Sequence, residues 1–94
     1  MSEKNDKMTE KGTYIGLKRP ISFVQCFLLN NPGYFFTVKQ IREKLEAEAN
    51  INLNHKTVRS ALREISIFLP GFEKKIDRAG IHNIHIHFYR YKKP

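Results

Sequence analysis

The stretch that decides the fold is Asn54-His55-Lys56-Thr57-Val58-Arg59-Ser60-Ala61-Leu62-Arg63. Asn54 suits the opening of a helix, because its side chain can accept a bond from a free N–H of the first turn. Leu53 and Val58 stand at the spacing of a hydrophobic staple. Val58, Ala61, Leu62 and Ile65 recur at i, i+3, i+4 and i+7, which lines them along one side of a helix. At about 100° per residue, Lys56, Arg59, Ser60 and Arg63 gather on the opposite side, and Glu64 falls on the flank. Pro70-Gly71 ends the element no later than Leu69. The result is a helix with an apolar back and a basic front.

Upstream, Thr37 and Gln40 have capping-box spacing, and Phe36 with Ile41 fits a second staple. A helix therefore opens at Thr37 and ends near Ala49 or Asn50, with Val38, Ile41, Leu45 and Ala49 as its buried stripe. Its other face carries Lys39, Arg42, Glu43 and Glu46, mixed in sign. Tyr34 to Phe36 is a short β-prone run before it. Further back, Pro20 to Leu29 reads as a first helix, opened by Pro20 and stopped by Asn30-Asn31-Pro32-Gly33. Ile21, Val24 and Leu28 form one apolar stripe, while Phe23, Cys26 and Phe27 lie on the other side. A helix apolar on both sides is buried on both. The second side is expected to meet another subunit or the C-terminal hairpin, and Phe23, Cys26 and Phe27 are the expected dimer surface. Residues 1–13 read as a disordered polar tail, too poor in apolar side chains to order themselves, and residues 14–94 as one domain.

Downstream, the period changes. Ile84, Ile86 and Phe88 alternate with His85, His87 and Tyr89, the period of a strand. Phe72 to Arg78 is a weaker strand with Phe72 and Ile76 on one face, and Ala79 to Asn83 has the length of a hairpin loop. Lys74 and Arg78 alternate with Phe72 and Ile76, which are expected in the core, so a bulge is expected to turn one of the two basic residues outward.

The order helix, short strand, helix, helix, strand, strand resembles the winged-helix variant of the helix-turn-helix DNA-binding fold. The residues that carry the likeness are Thr37-Val38-Lys39-Gln40-Ile41-Arg42-Glu43-Lys44-Leu45, the stretch Asn54 to Arg63, and the basic hairpin Phe72 to Tyr91. The likeness spans roughly Leu17 to Tyr91. The connection from about Asn50 to Asn54 is longer than the tight turn of a classical helix-turn-helix. The resemblance implies an α+β winged helix-turn-helix, three helices plus a C-terminal β-hairpin wing. It also implies that the third helix enters a major groove, while the wing reaches a minor groove or adjacent phosphates.

The residue chemistry fits that expectation. Arg59 and Arg63 carry guanidinium groups that match the acceptor pair of a guanine edge. His55, Lys56, Thr57 and Ser60 sit near the start of the helix, where backbone N–H groups favour phosphate. Lys74, Lys75 and Arg78 precede the hairpin tip, and His82 lies in it. For each of these the plainer alternative is a solvated surface, and hairpin charges also discourage edge-to-edge aggregation.

Charge distribution sharpens the picture. The 94-residue chain has a formal net charge of +8, and residues 51–94 carry +6 of it. After Asp77 there is no acid. A polyanionic partner is expected, double-stranded DNA first. A homodimeric transcriptional regulator is the leading expectation. A protein–protein module docking an acidic partner, and an RNA-binding protein, are the alternatives.

Other chemistry finds little footing. His82, His85 and His87 cluster, and His85 and His87 share a strand face, but no Asp, Glu or Cys accompanies them after Asp77. That leaves a metal-ligand set short, and polar residues on an open strand face, turned to phosphate, are the expected reading. There is no nucleophile–base arrangement and no glycine-rich phosphate loop, so neither enzymatic activity nor a cofactor is expected. No small-molecule pocket is evident. The single cysteine, Cys26, excludes an intrachain disulfide. An inert buried thiol is expected, with an intersubunit disulfide as the minor alternative. The charge-free run from Pro20 to Thr37 is too polar and broken to span a bilayer. Without a signal-peptide pattern, a reducing cytoplasmic setting is expected.

Overall fold

The computed structural model describes residues 14, 16–79 and 84–93. The tail expected over residues 1–13 and the hairpin tip, with His82, lie outside them. The chain is α+β: α1 (Pro20–Asn30), α2 (Val38–Ala49) and α3 (His55–Phe68) are followed by an antiparallel hairpin of β1 (Phe72–Ala79) and β2 (Ile84–Tyr91). This order is compatible with a winged-helix shape.

Local chemistry sets the helix ends. Pro20 starts α1, its fixed φ already helical. At the far end, the Asn31 side-chain amide donates to the Phe27 carbonyl at 2.8 Å, satisfying one of the last free acceptors. The capping box of α2 is complete: Gln40 N–H donates to Thr37 Oγ1 at 3.1 Å, and Thr37 N–H donates to Gln40 Oε1 at 2.9 Å. Asn50 closes α2 in the left-handed conformation, φ 56°, and Ile51 N–H donates back to the Leu45 carbonyl at 3.1 Å. Asn54 caps α3 by accepting from Thr57 N–H at 2.7 Å. The α2–α3 connection is pinned between these caps by Arg42, whose Nε donates to the Leu53 carbonyl at 3.0 Å.

The core forms where the three helices meet. Val24, Phe27 and Leu28 of α1 pack with Val38, Ile41 and Leu45 of α2 and with Val58, Ala61, Leu62 and Ile65 of α3. Phe36 and Tyr89 complete it. The residues of both expected staples join the core, Phe36, Ile41 and Val58 within the buried cluster and Leu53 packed against it.

The β-prone run before α2 contributes a single bridge, at Phe36. Phe36 N–H donates to the Tyr89 carbonyl at 2.8 Å, and Tyr89 N–H returns a bond to the Phe36 carbonyl at 2.8 Å. Gly33 N–H adds a bond to the Tyr91 carbonyl at 2.8 Å. Directly paired residues put their side chains on one face of a sheet. Because Phe36 packs edge-on against Phe27, centroids 4.8 Å apart, Tyr89 must also face the helices.

That pairing corrects three expectations about the hairpin. β1 and β2 pair without a bulge from Phe72↔Tyr91 to Ala79↔Ile84. Lys74, Ile76 and Arg78 therefore share the inner face with Phe72, Tyr89, His87 and His85. Ile76 is not a core residue but 51% exposed, since the hairpin runs past the helices that cover Phe72 and Tyr89. His85 and His87 are not on the open face but on the inner one.

Phe27 departs most from the expected dimer surface. It has no exposed area, being enclosed by its own chain, and so offers nothing to a second copy. The hairpin side of the core, through Phe36, takes the second apolar side of α1. Phe23 is half-buried beside Tyr14, ring centroids 6.4 Å apart, and Cys26 is half-buried.

Substitutions at three positions test this core by urea denaturation. Leu62→Ala should cost about 2–5 kcal/mol, as a cavity in a closed core does. Ile67→Ala, on the side of α3 opposite the core stripe and 81% exposed, should change stability by no more than about 0.5 kcal/mol. Gly71→Ala should cost more than about 1 kcal/mol, because Gly71 has φ +88° and a Cβ there would lie 2.3 Å from the Lys92 carbonyl oxygen.

Candidate nucleic-acid interface

Burial of the Val58/Ala61/Leu62/Ile65 stripe forces the opposite side of α3 outward. His55, Lys56, Arg59, Ser60 and Arg63 are all exposed, and Thr57 is half-buried at the capped end. Two clefts flank this helix. On the α1 side, Arg19, Pro20 and Ile21 face Lys56, Thr57, Ser60 and Glu64. On the hairpin side, Thr37 and Lys39 at the start of α2, His55 and Arg59 of α3, and His85, His87 and Tyr89 of β2 line a second cleft. The hairpin-side cleft has no carboxylate in its lining.

Electrostatics support this geometry. Burial holds the His87 imidazole below its ordinary range, and the charges of Lys74, Arg59 and His85 push it the same way. Burial raises the Tyr89 phenol, an effect opposed by Arg59 and Arg63. The fields of both α3 arginines thus converge on the inner face of β2. Burial also raises the Cys26 thiol, which reduces its thiolate fraction and reactivity.

The outer face of the hairpin is organised differently. Glu73 accepts from Arg90 Nε at 2.8 Å and also from its Nη2. The Arg90 guanidinium lies 4.4 Å from the Phe35 ring centroid. Lys75 Nζ sits 4.6 Å from the Phe35 ring and 5.3 Å from that of Phe88, and 3.7 Å from Asp77 Oδ2. Both acids of the hairpin are therefore outside, each beside a cation.

Most of the expected contact residues come together. His55, Lys56, Thr57, Arg59, Ser60 and Arg63 lie on α3, with Lys74 and Arg78 on the inner hairpin face beside it. Lys75 does not join them: strand alternation turns it to the outer face, where aromatic rings and Asp77 hold it. His82 lies outside the described residues. Thr37, Lys39 and Tyr89 line the cleft without having been expected there, and His85 and His87, expected to meet phosphate from an open strand face, line it from the inner one. The histidine alternation was visible, but nothing local says which side of the strand meets α3. Among the described residues, no three His, Cys, Asp or Glu side chains are placed to hold a metal. No helix of the described residues is long and apolar enough to cross a membrane.

The electrostatic account of His87 is tested by following its ring protons by NMR across a pH titration. Its midpoint should lie below the ordinary histidine range and rise in both Arg59→Met and Lys74→Met. A midpoint that neither variant moves would remove those charges as a cause. Comparison with known proteins gives no match to any family model, any curated protein or any solved structure.

Proposed function

We propose that the chain is a non-enzymatic duplex-DNA-binding protein of the winged-helix type. In this reading α3 enters the major groove and the β1–β2 hairpin lies along the adjacent backbone. The observation that carries it is the sorting of charge between the two faces of the hairpin. Glu73 and Asp77 are turned outward against Arg90 and Lys75, and the inner face beside α3 keeps Lys74 and Arg78. With Lys56, Arg59 and Arg63, these form one basic surface built from two elements.

The roles divide by position. Lys56, Ser60 and Arg63 are on the outward side of α3, the side that meets base edges in a major groove about 12 Å wide. Arg63 is the side chain for a bidentate contact to guanine. Arg59 is turned toward the hairpin and lines its cleft, which suits a backbone phosphate more than a base. Lys74 and Arg78 extend the phosphate contacts along the wing.

Gel shifts and salt titrations on duplex DNA test the reading. Affinity should fall steeply with salt, as counterion release requires. Arg63→Ala should weaken binding to a selected site by about 1–3 kcal/mol and relax the preference for a base there. Lys74→Ala should weaken binding on all sequences alike and reduce the salt slope by about 1. Lys75→Ala should leave affinity within about twofold of the parent, since its charge faces away. No binding to duplex DNA at low salt defeats the proposal.

A further inference from the structure

The hairpin-side cleft combines two kinds of positive group. Lys39 at the start of α2 and Arg59 on α3 carry permanent charge in its lining, and the charge of Lys74 on β1 acts on His87 from outside it. His55 on α3, with His85 and His87 on β2, carries charge only when protonated. Arg78, the cross-strand partner of His85, adds a further fixed charge on the same face. Tyr89 lines the cleft as well, its phenol raised by burial against the opposing fields of Arg59 and Arg63. With no acid in the lining, nothing built into the cleft balances a proton taken up there.

We propose that this cleft is a seat for one phosphate group, and that filling it is coupled to protonation of His87 and His85. It rests on the duplex-DNA reading for its natural occupant, a backbone phosphodiester, though the chemistry is shared with free phosphate. Without an anion, burial and the repulsion of the neighbouring charges both disfavour a proton on His87. A phosphate oxygen among Lys39, Arg59 and the two imidazoles cancels that repulsion. The protons come from solvent, and each adds one N–H donor and one positive charge toward the anion. Linkage makes the effect reciprocal: phosphate raises the histidine midpoints, and acid strengthens phosphate binding. The interface is thereby a pH-responsive one, tighter in acid than its arginines and lysines alone would make it.

Two measurements test this on the full chain. In the first, histidine ring resonances are titrated with pH, with and without inorganic phosphate at constant ionic strength. The His87 and His85 midpoints should move upward with phosphate; midpoints that stay put overturn the proposal. In the second, affinity for a duplex oligonucleotide is measured from neutral to mildly acidic pH. The parent should gain about tenfold, the effect of one fully linked proton across one pH unit. His87→Gln should lose most of that gain, and His85→Gln/His87→Gln nearly all of it, with urea melts confirming that each variant is folded. A pH dependence retained in the folded double variant overturns the proposal while leaving DNA binding intact. Phosphate-shifted histidine midpoints without duplex binding at any pH support the phosphate seat and defeat the DNA reading.

Discussion

The paired hydrogen bonds between Phe36 and Tyr89 are the constraint on which the rest of the molecule depends. They are backbone bonds, so they fix register as well as contact. Phe36 is already committed to the core by Phe27 on α1 and by its staple contact with α2. Its partner inherits that commitment. From Tyr89, strand alternation sends His87 and His85 to the helix side, and pairing with β1 sends Lys74 and Arg78 there too. A register slip of one residue would exchange the two faces. The side beside α3 would then carry Glu73, Lys75, Asp77, Phe88 and Arg90, acids and bases in balance, in place of Lys74, Arg78 and the histidines. One bridge between a loop and a strand therefore decides whether the hairpin face beside α3 is basic or charge-balanced.

The two faces of the hairpin are held by different physics. Inside, Phe72 and Tyr89 are packed against helices, their centroids 6.1 Å apart. Outside, no third layer is present among the described residues, so Phe35 and Phe88 would be left to water. Lys75 and Arg90 cover them with their aliphatic stems and keep their charged ends over ring faces. Glu73 and Asp77 then complete these cations. Exposed ion pairs of this kind contribute little stability each. Their larger consequence is that the hairpin's acids are kept on the side away from α3.

What was legible in the sequence was whatever is settled within one turn of a helix. The capping box at Thr37, the cap at Asn54 and the stop at Pro70-Gly71 depend on neighbours three or four residues away, and the helices begin and end where those signals stand. The core stripes were legible for the same reason, because a 3.6-residue period names its own buried side. The hairpin faces were not. In β2 both alternating sets contain large side chains, isoleucines and Phe88 on one side, Tyr89 and the histidines on the other. A period of two says that they separate and not which set is inside. That choice belongs to Phe36, about fifty residues earlier in the chain. Phe27 shows the same limit: a wholly apolar helix needs two partners, and the sequence could not distinguish a hairpin of its own chain from a second copy.

Gly71 gives the hairpin a mechanical character. Its carbonyl accepts from Lys92 N–H at 2.7 Å, which closes the root of the hairpin where both strands leave the helices. Lys92 passes so close that only glycine fits. The root is thus clamped on both strands, by this contact and by Phe72, Tyr89 and Tyr91 against the core. Beyond Ile76 no core residue supports it. The hairpin is built as a cantilever, fixed at its root, with displacement growing along the strands away from the anchorage. Lys74 lies near the fixed end and keeps a constant position relative to α3, whereas Arg78 lies farther along the span and can be displaced without disturbing the helix. A partner of irregular surface would be measured against a rigid reference at one end and accommodated at the other.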